Sequence, residues 1–422
     1  MRHTSYKIFL LMVWAICSCQ TEKDSAEGLL ETLMENEPSK FRYILDQRDS
    51  LEVQILYTQI LYTQINRDSA NYPSFKSYYF NLDSPRYFYP ASTIKLPLVV
   101  LSLEKLNQLD INGLDKFTPV YHDSVYYGQR SIRVDLTSEN QLPSIAHYVR
   151  KVLMVSDNDA SNALYEFMGQ RAANDQLRKK GYNIRILHRL SRSATAEQNR
   201  HTEQLRFVLH DTLIYRQEML VNPDSIRPNR VVLKGTGYID HDSLIRKPFD
   251  FSYKNSFPLQ EQQEILKAIL FPETLTPAKR FNLSAEDRRF LLQYMSQLPR
   301  ETSYPPYRQD TALYDASVKF FMFAEDRRPI PRSIRIFNKI GGAYGYVIDN
   351  AYIVDFDKGV EFMLSAVIST NADGIFNDDK YDYKTIGYPF MRDLGQLIYQ
   401  YELKRVRERK PDLSEFKLRY DQ

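Results

Sequence analysis

The chain has 422 residues, 43% hydrophobic and 13% aromatic, which is enough to bury one large core or two ordinary ones. Its formal net charge is +3, from 56 basic and 53 acidic residues, and no basic run interleaves with aromatics, so a nucleic-acid-binding class is excluded. Two cysteines leave no room for a disulfide framework.

The first element is a targeting segment. Arg2 and Lys7 give a positive start, and residues 8–16, "IFLLMVWAI", are apolar but too short to span a bilayer. "ICSC" at 16–19 follows. An aliphatic residue, two small ones and a cysteine resemble the lipobox of bacterial lipoproteins, which implies cleavage after residue 18 and lipidation of Cys19. The expectation is a lipid-anchored protein outside the cytoplasm, on the periplasmic side or the cell surface of a bacterial outer membrane. No later stretch is long and apolar enough to cross a membrane.

Residues 20–27 read as a polar tether, and 28–37 have helical apolar spacing. Together, 19–44 form a lipidated tether with an N-terminal helix. Residues 51–65, "LEVQILYTQILYTQI", repeat "ILYTQ" twice and alternate as a strand does; 74–82 form a second strand, pairing with it as a hairpin. From 92 to about 220 the periodicity is mostly helical, most clearly over 143–155 and 159–168. Residues 222–282 show no strong period. Residues 283–299 form a helix that Ser284 and Asp287 cap and Pro299 stops. Strand-like runs at 334–340, 351–356 and 360–368 predict an antiparallel meander, and 388–406 an amphipathic helix. Strands at both ends and helices between them predict an α+β sandwich: an antiparallel sheet flanked by helices, with an inserted helical lobe. The main domain runs over 45–406, with extra chain at about 215–300 and a tail at 407–422.

Three stretches carry chemistry. "YPASTIKLPL" at 89–98 holds Ser92 and Lys95 one helical turn apart, on one face of a helix starting at the serine. A serine hydroxyl needs a base, and a lysine deprived of water can serve; free N–H groups at a helix start would stabilise an oxyanion. A Ser-x-x-Lys pattern arises by chance about one to two times in 400 residues, and Ser102–Lys105 is a second copy that lies past the first turn and is set aside. "VLMVSDNDASNAL" at 152–164 holds Ser156, Asp157 and Asn158, a tripeptide expected about 0.1 times by chance. Ser156 can pass a proton to a leaving nitrogen, Asn158 offers a donor and an acceptor, and Asp157 or Ser156 can cap the helix starting near Ala160. "FNKIGGAYGY" at 337–346 puts Lys339 on a strand, where it can hold a carboxylate, followed by Gly341 and Gly342, which let a substrate backbone approach. "VVLKGTGY" at 231–238 imitates it but has no sheet meander behind it.

In this order the three motifs resemble the serine penicillin-recognising enzymes, with class A β-lactamases and their relatives as the nearest match. The resemblance covers roughly 45–215 and 330–405. It implies Ser92 as the acylated nucleophile, Lys95 as its base, Ser156 as proton relay, Asn158 as the holder of a substrate amide and Lys339 as the holder of a carboxylate. The N–H groups of Ser92 and Gly342 would form the oxyanion hole. Two departures stand out: Ile340 occupies a position that carries a hydroxyl in the family, and no glutamate sits at the family's spacing to activate a deacylating water. Glu197 is the best candidate, with Asn199 nearby; Glu203 is the second.

The leading expectation is a serine hydrolase opening β-lactam amides through an acyl-Ser92 intermediate. The alternatives are a D-Ala-D-Ala peptidase, esterase or penicillin-binding protein with slow deacylation, and a catalytically silent binding lipoprotein of the same fold. The seven histidines have no metal-like spacing, so neither a metal nor another cofactor is expected, and His201 reads as structural. Residues 371–382, "NADGIFNDDKYD", lack a calcium loop's spacing and read as a polar turn. The expected partners are a β-lactam or cell-wall peptide and the membrane that takes the lipid anchor, with no nucleic acid and a monomeric chain.

Overall fold

A computed structural model describes residues 28–46, 57–225 and 227–420. The targeting segment, Cys19, the tether and the first residues of the 51–65 run lie outside them.

Five antiparallel strands form the central sheet: β1 (Thr58–Arg67), β2 (Pro73–Phe80), β3 (Ile334–Ala343), β4 (Tyr346–Asp355) and β5 (Val360–Ser369). Their order is β3-β4-β5-β1-β2, so the two ends of the chain meet where Leu61 of β1 pairs with Ser365 of β5. Strand alternation sorts the side chains. Ile336, Ile340, Ala351, Ile353, Leu364 and Ala366 face an apolar layer shared with helices Pro38–Leu45 and Tyr388–Lys404. Phe337, Tyr352 and Met363 face the larger core, which takes in helices Lys95–Leu109, Ile145–Val155, Asn158–Met168, Leu259–Leu270 and Ala285–Ser296. A sheet covered on both faces explains why β4 and β5 are buried along their whole length.

The architecture is the expected α+β sandwich, and several elements differ in detail. Residues 204–217, read as part of a helical stretch, form a hairpin of Gln204–Leu209 and Thr212–Gln217 with Val120–Asp123 as third strand. Alternation in "QLRFVL" buries Leu205 and Phe207 and settles the matter. Strand β4 starts five residues before the apolar run at 351, because buried Asp349 and Asn350 interrupt the pattern. Asp349 accepts from the Asn338 amide (2.8 Å) and from the N–H groups of Phe320 (3.0 Å) and Phe321 (3.2 Å). Asn350 donates to the Gln262 carbonyl at 2.8 Å and accepts from Ser365 at 2.7 Å.

Helix Leu259–Leu270 falls within the stretch that showed no period. Its Gln262 and Gln263 are buried polar residues, and Gln263 bridges Thr63 of β1 and Ser365 of β5, so the helix lies on the sheet. The capping box of Ser284 and Asp287 is present at the start of Ala285–Ser296. Lys234 of the imitating motif sits in a two-residue strand paired with Phe249–Asp250. A small hairpin (Gly237–Asp240, Ser243–Ile245) does follow it, contrary to expectation, but in a sheet apart from the central one.

Candidate active site

The chain enters the site at Pro90 and makes one 3₁₀ turn, Ala91–Ile94, before the α-helix Lys95–Leu109. The helix therefore begins at Lys95 rather than at Ser92. Ala91 takes a left-handed φ of 47°, and the hydroxyl of Thr93 closes the turn on the Pro90 carbonyl at 2.7 Å. Ser92 is half-buried at this corner. Strand β3 is the edge of the sheet, and its end runs against the corner. A Cβ on Gly341 would lie 2.9 Å from the Pro90 carbonyl oxygen and 3.2 Å from the Ser92 nitrogen, so a side chain there would push strand and turn apart. A Cβ on Gly342 would meet nothing within 4 Å, because that residue opens onto the cleft.

The second motif sits at a helix-to-helix corner. Helix Ile145–Val155 ends at Ser156, whose φ of 61° is left-handed. Asp157 then caps Asn158–Met168, its carboxylate accepting from the Ala160 N–H at 2.7 Å, as expected of the segment. The reversed backbone turns the carbonyl and hydroxyl of Ser156 toward Lys95. Lys95 Nζ donates to the Ser156 carbonyl, lies 3.3 Å from Ser156 Oγ and 2.6 Å from Asn158 Oδ1. From the sheet, Lys339 Nζ reaches Ser156 Oγ at 2.8 Å and the Ile340 carbonyl at 2.9 Å. Asn158 uses its amide nitrogen to reach Ser191 Oγ at 2.9 Å. The structure thus brings Lys95, Ser156, Asn158 and Lys339 into one hydrogen-bonded group. Ser92 and Asn158 line the same cleft. No hydrogen bond joins Lys95 to Ser92 in this resting arrangement among the described residues; such bonds commonly tighten only when substrate is present.

Burial governs the charges. It pushes the Lys95 ammonium down to about 7, with the Asp157 carboxylate opposing the shift. Burial, then the charge of Lys95, pushes Lys339 well below the ordinary lysine range. A lysine poised near neutrality can shed its proton and accept one from a hydroxyl. Ile340, by alternation, faces away from Lys339 into the apolar layer beneath helix Tyr388–Lys404.

Neither candidate glutamate is brought to Ser92. Glu197 is 52% exposed, pairs with Arg200 at 2.6 Å and lines a different cleft, beside Tyr253 and Lys254. Glu203 is buried with His122 at 2.7 Å and accepts the Arg130 N–H at 3.0 Å. His201 is structural, stacked on Tyr126 with ring centres 4.1 Å apart. Leu190 and Ser191 line the same cleft as Ser92. Asn162 fixes Leu190: its amide donates to the Leu190 carbonyl at 3.0 Å and accepts the Leu190 N–H at 2.9 Å. The loop behind is pinned by a buried pair, Glu166 with Arg189 at 2.6 and 2.8 Å, whose guanidinium also holds the carbonyls of Gln198 and His201.

The cleft, about 360 Å³, has a second wall that the motifs did not announce. Asn377, Asp379, Tyr381 and Tyr383 belong to or adjoin the stretch read as a polar turn. Asp379 is the one carboxylate among the described residues that line the cleft. The turn becomes a wall because Ile375–Phe376 pairs in parallel with Gly237–Tyr238.

Residues 59–225 match the model of the beta-lactamase enzyme family, a span that holds Ser92, Lys95, Ser156 and Asn158 and stops short of Lys339. The resemblance to the serine penicillin-recognising enzymes stands. Similar solved structures include a β-lactamase from Sphaerobacter thermophilus (13% identity, TM-score 0.46, 86% of this chain and 97% of that one) and a class A β-lactamase from Clostridium kluyveri (13%, 0.44, 86% and 98%). A variant of PBP-A carrying penicillin G as an acyl-enzyme is another (16%, 0.45, 87% and 96%). No curated protein matches the sequence. The matching family is one of serine β-lactamase-like hydrolases.

Proposed function

We propose that the chain is a lipid-anchored serine hydrolase of the penicillin-binding type, acylated at Ser92 by β-lactams or D-alanyl-D-alanine peptides and slow to release the acyl group. The observation that carries this reading is the convergence of Lys95 and Lys339 on Ser156, with Lys95 also bonded to Asn158, which lines one cleft with Ser92. Neutral Lys95 takes the proton of Ser92 Oγ as that oxygen bonds to the carbonyl carbon. The tetrahedral oxyanion rests on N–H groups at the Ser92 corner and the end of β3, where such donors are worth roughly 3 kcal/mol each. The C–N bond then breaks, Ser156 gives its proton to the departing nitrogen, and the proton held by Lys95 restores the Ser156 hydroxyl. Lys339 holds the substrate carboxylate.

Slow release is supported by the walls of the cleft. Deacylation needs a base to activate water; Leu190 and Ser191 line the cleft with Ser92, and the one carboxylate among its described lining residues is the exposed Asp379. This favours a peptidase or penicillin-binding protein over a β-lactamase. Release of free D-alanine from a D-alanyl-D-alanine peptide tests the reading. Turnover by the full chain and none by Ser92→Ala supports it; equal release by both proteins refutes it. The lipid anchor at Cys19 and a place outside the cytoplasm belong to the same proposal and rest on the sequence of the first 19 residues.

A further inference from the structure

The cleft is polarised. Behind Asn158, which lines it, stand two buried lysines: Lys95, 2.6 Å from Asn158 Oδ1, and Lys339, which joins Lys95 through Ser156. At its rim stands Asp379, exposed, on left-handed backbone (φ 59°), and it pairs with no basic side chain among the described residues. Its charge is felt by Tyr381 and Tyr383, after burial and closer groups. The phenol oxygens of both tyrosines accept backbone N–H groups, Tyr381 from Asn377 and Tyr383 from Gly345, each at 2.8 Å. The two rings stand 5.3 Å apart and are fixed by these bonds. Tyr89 and Tyr344 complete an aromatic lining, 4.9 Å apart edge to face. The wall is held in place from behind by Phe376, which packs on Phe251 at 5.1 Å and on Tyr344 at 6.2 Å. A carboxylate beside ordered tyrosine rings is the chemistry that holds an organic ammonium. Lys254 lies 5.9 Å from the Tyr344 ring and lines other clefts.

We propose that Asp379, with Tyr381 and Tyr383, makes the rim of this cleft a subsite for an organic ammonium group, so that the enzyme selects zwitterionic amide substrates, with a carboxylate held at Lys339 and an amine at the rim. The inference rests on the acyl-enzyme reading above and adds the substrate class to it. It commits to a positive charge on the substrate, on either side of the scissile amide.

Two matched pairs of β-lactams test it on the purified full chain, with the rate of acyl-Ser92 formation read by intact mass. Ampicillin and benzylpenicillin differ by an ammonium on the acyl side. Cephaloridine and cephalothin share an acyl group and differ by a cationic pyridinium on the other side. The expected result is a cationic-to-neutral rate ratio of about three to ten in at least one pair, the range an exposed ion pair with ring contacts provides. Asp379→Asn should bring that ratio close to one, and Asp379→Glu should keep it. Ratios that do not change in Asp379→Asn, with acylation intact, overturn the ammonium subsite and leave the acyl-enzyme reading standing. No adduct from any of the four compounds overturns both.

Discussion

Lys339 Nζ lies 2.8 Å from Ser156 Oγ, although 183 residues separate them in the chain. One residue comes from the edge strand of the sheet and the other from a bend between two helices. The contact joins the sheet to the helices. It also puts the Ser156 hydroxyl under two lysines, which is the arrangement a proton relay needs. Ser156→Ala should lower the acylation rate constant about 100-fold, the size of a lost proton transfer, with little change in melting temperature. Stopped-flow measurement of penicillin acylation reads this directly.

With Lys95 as the proposed base, acylation should follow its titration. The ammonium is pushed down to about 7 by burial, so the neutral form that can act as base grows as pH rises through 7. Acylation should rise over pH 6–8 and level off. Lys95→Arg stays charged at every pH and should lose acylation by about 1,000-fold or more, with no recovery at pH 9. The same shift has a consequence for stability. A lysine whose folded pKa lies below its unfolded value binds fewer protons when folded, so stability rises with pH from about 7 toward the ordinary lysine range. Buried Lys319, also pushed down to about 7, acts in the same direction. Denaturant midpoints at pH 7 and pH 9 should differ, with the higher one at pH 9.

A carboxylate placed at Leu190 should change the lifetime of the acyl-enzyme. Asn162 holds that residue's backbone on both sides, so the position is fixed at the wall of the Ser92 cleft. Leu190→Glu should shorten the acyl-enzyme half-life at least tenfold, as a general base at the wall activates water. The half-life is read from regain of free enzyme after excess penicillin is removed. An unchanged half-life would mean that the wall is not where water is activated.

The pair of Glu166 and Arg189 holds the loop that carries this wall. Removing one partner of a buried pair strands the other charge and costs about 3–5 kcal/mol. Glu166→Gln should therefore lower the denaturation midpoint strongly, and Glu197→Gln, at a half-exposed pair, should leave it nearly unchanged.

How much of this was legible in the sequence depended on how local the signal was. The capping box at Ser284 is a local pattern and is in place; Ser92, one turn before Lys95, lies on a 3₁₀ turn ahead of helix Lys95–Leu109 instead of on that helix. The sheet was legible from apolar alternation, except where β4 buries Asp349 and Asn350; polar residues satisfied by distant partners hide a strand. Helix Leu259–Leu270 was hidden in the same way by Gln262 and Gln263. The sequence position of Glu197 carries no signal of direction, and its side chain turns outward to Arg200. Leu190 carries no chemical signal of its own; only Asn162, four residues past Asn158 on one helix face, could have pointed to it. The rim at Asp379 was illegible because residues 371–382 become a wall only by pairing with Gly237–Tyr238, far away in the chain.

The most direct test of the account is intact-mass spectrometry of the full chain with benzylpenicillin over time, beside Ser92→Ala. A single adduct of one penicillin mass should form in the native protein, persist long after free penicillin is removed and be absent from the variant. An adduct that forms equally on Ser92→Ala, or penicillin hydrolysed with no adduct ever accumulating, would contradict it.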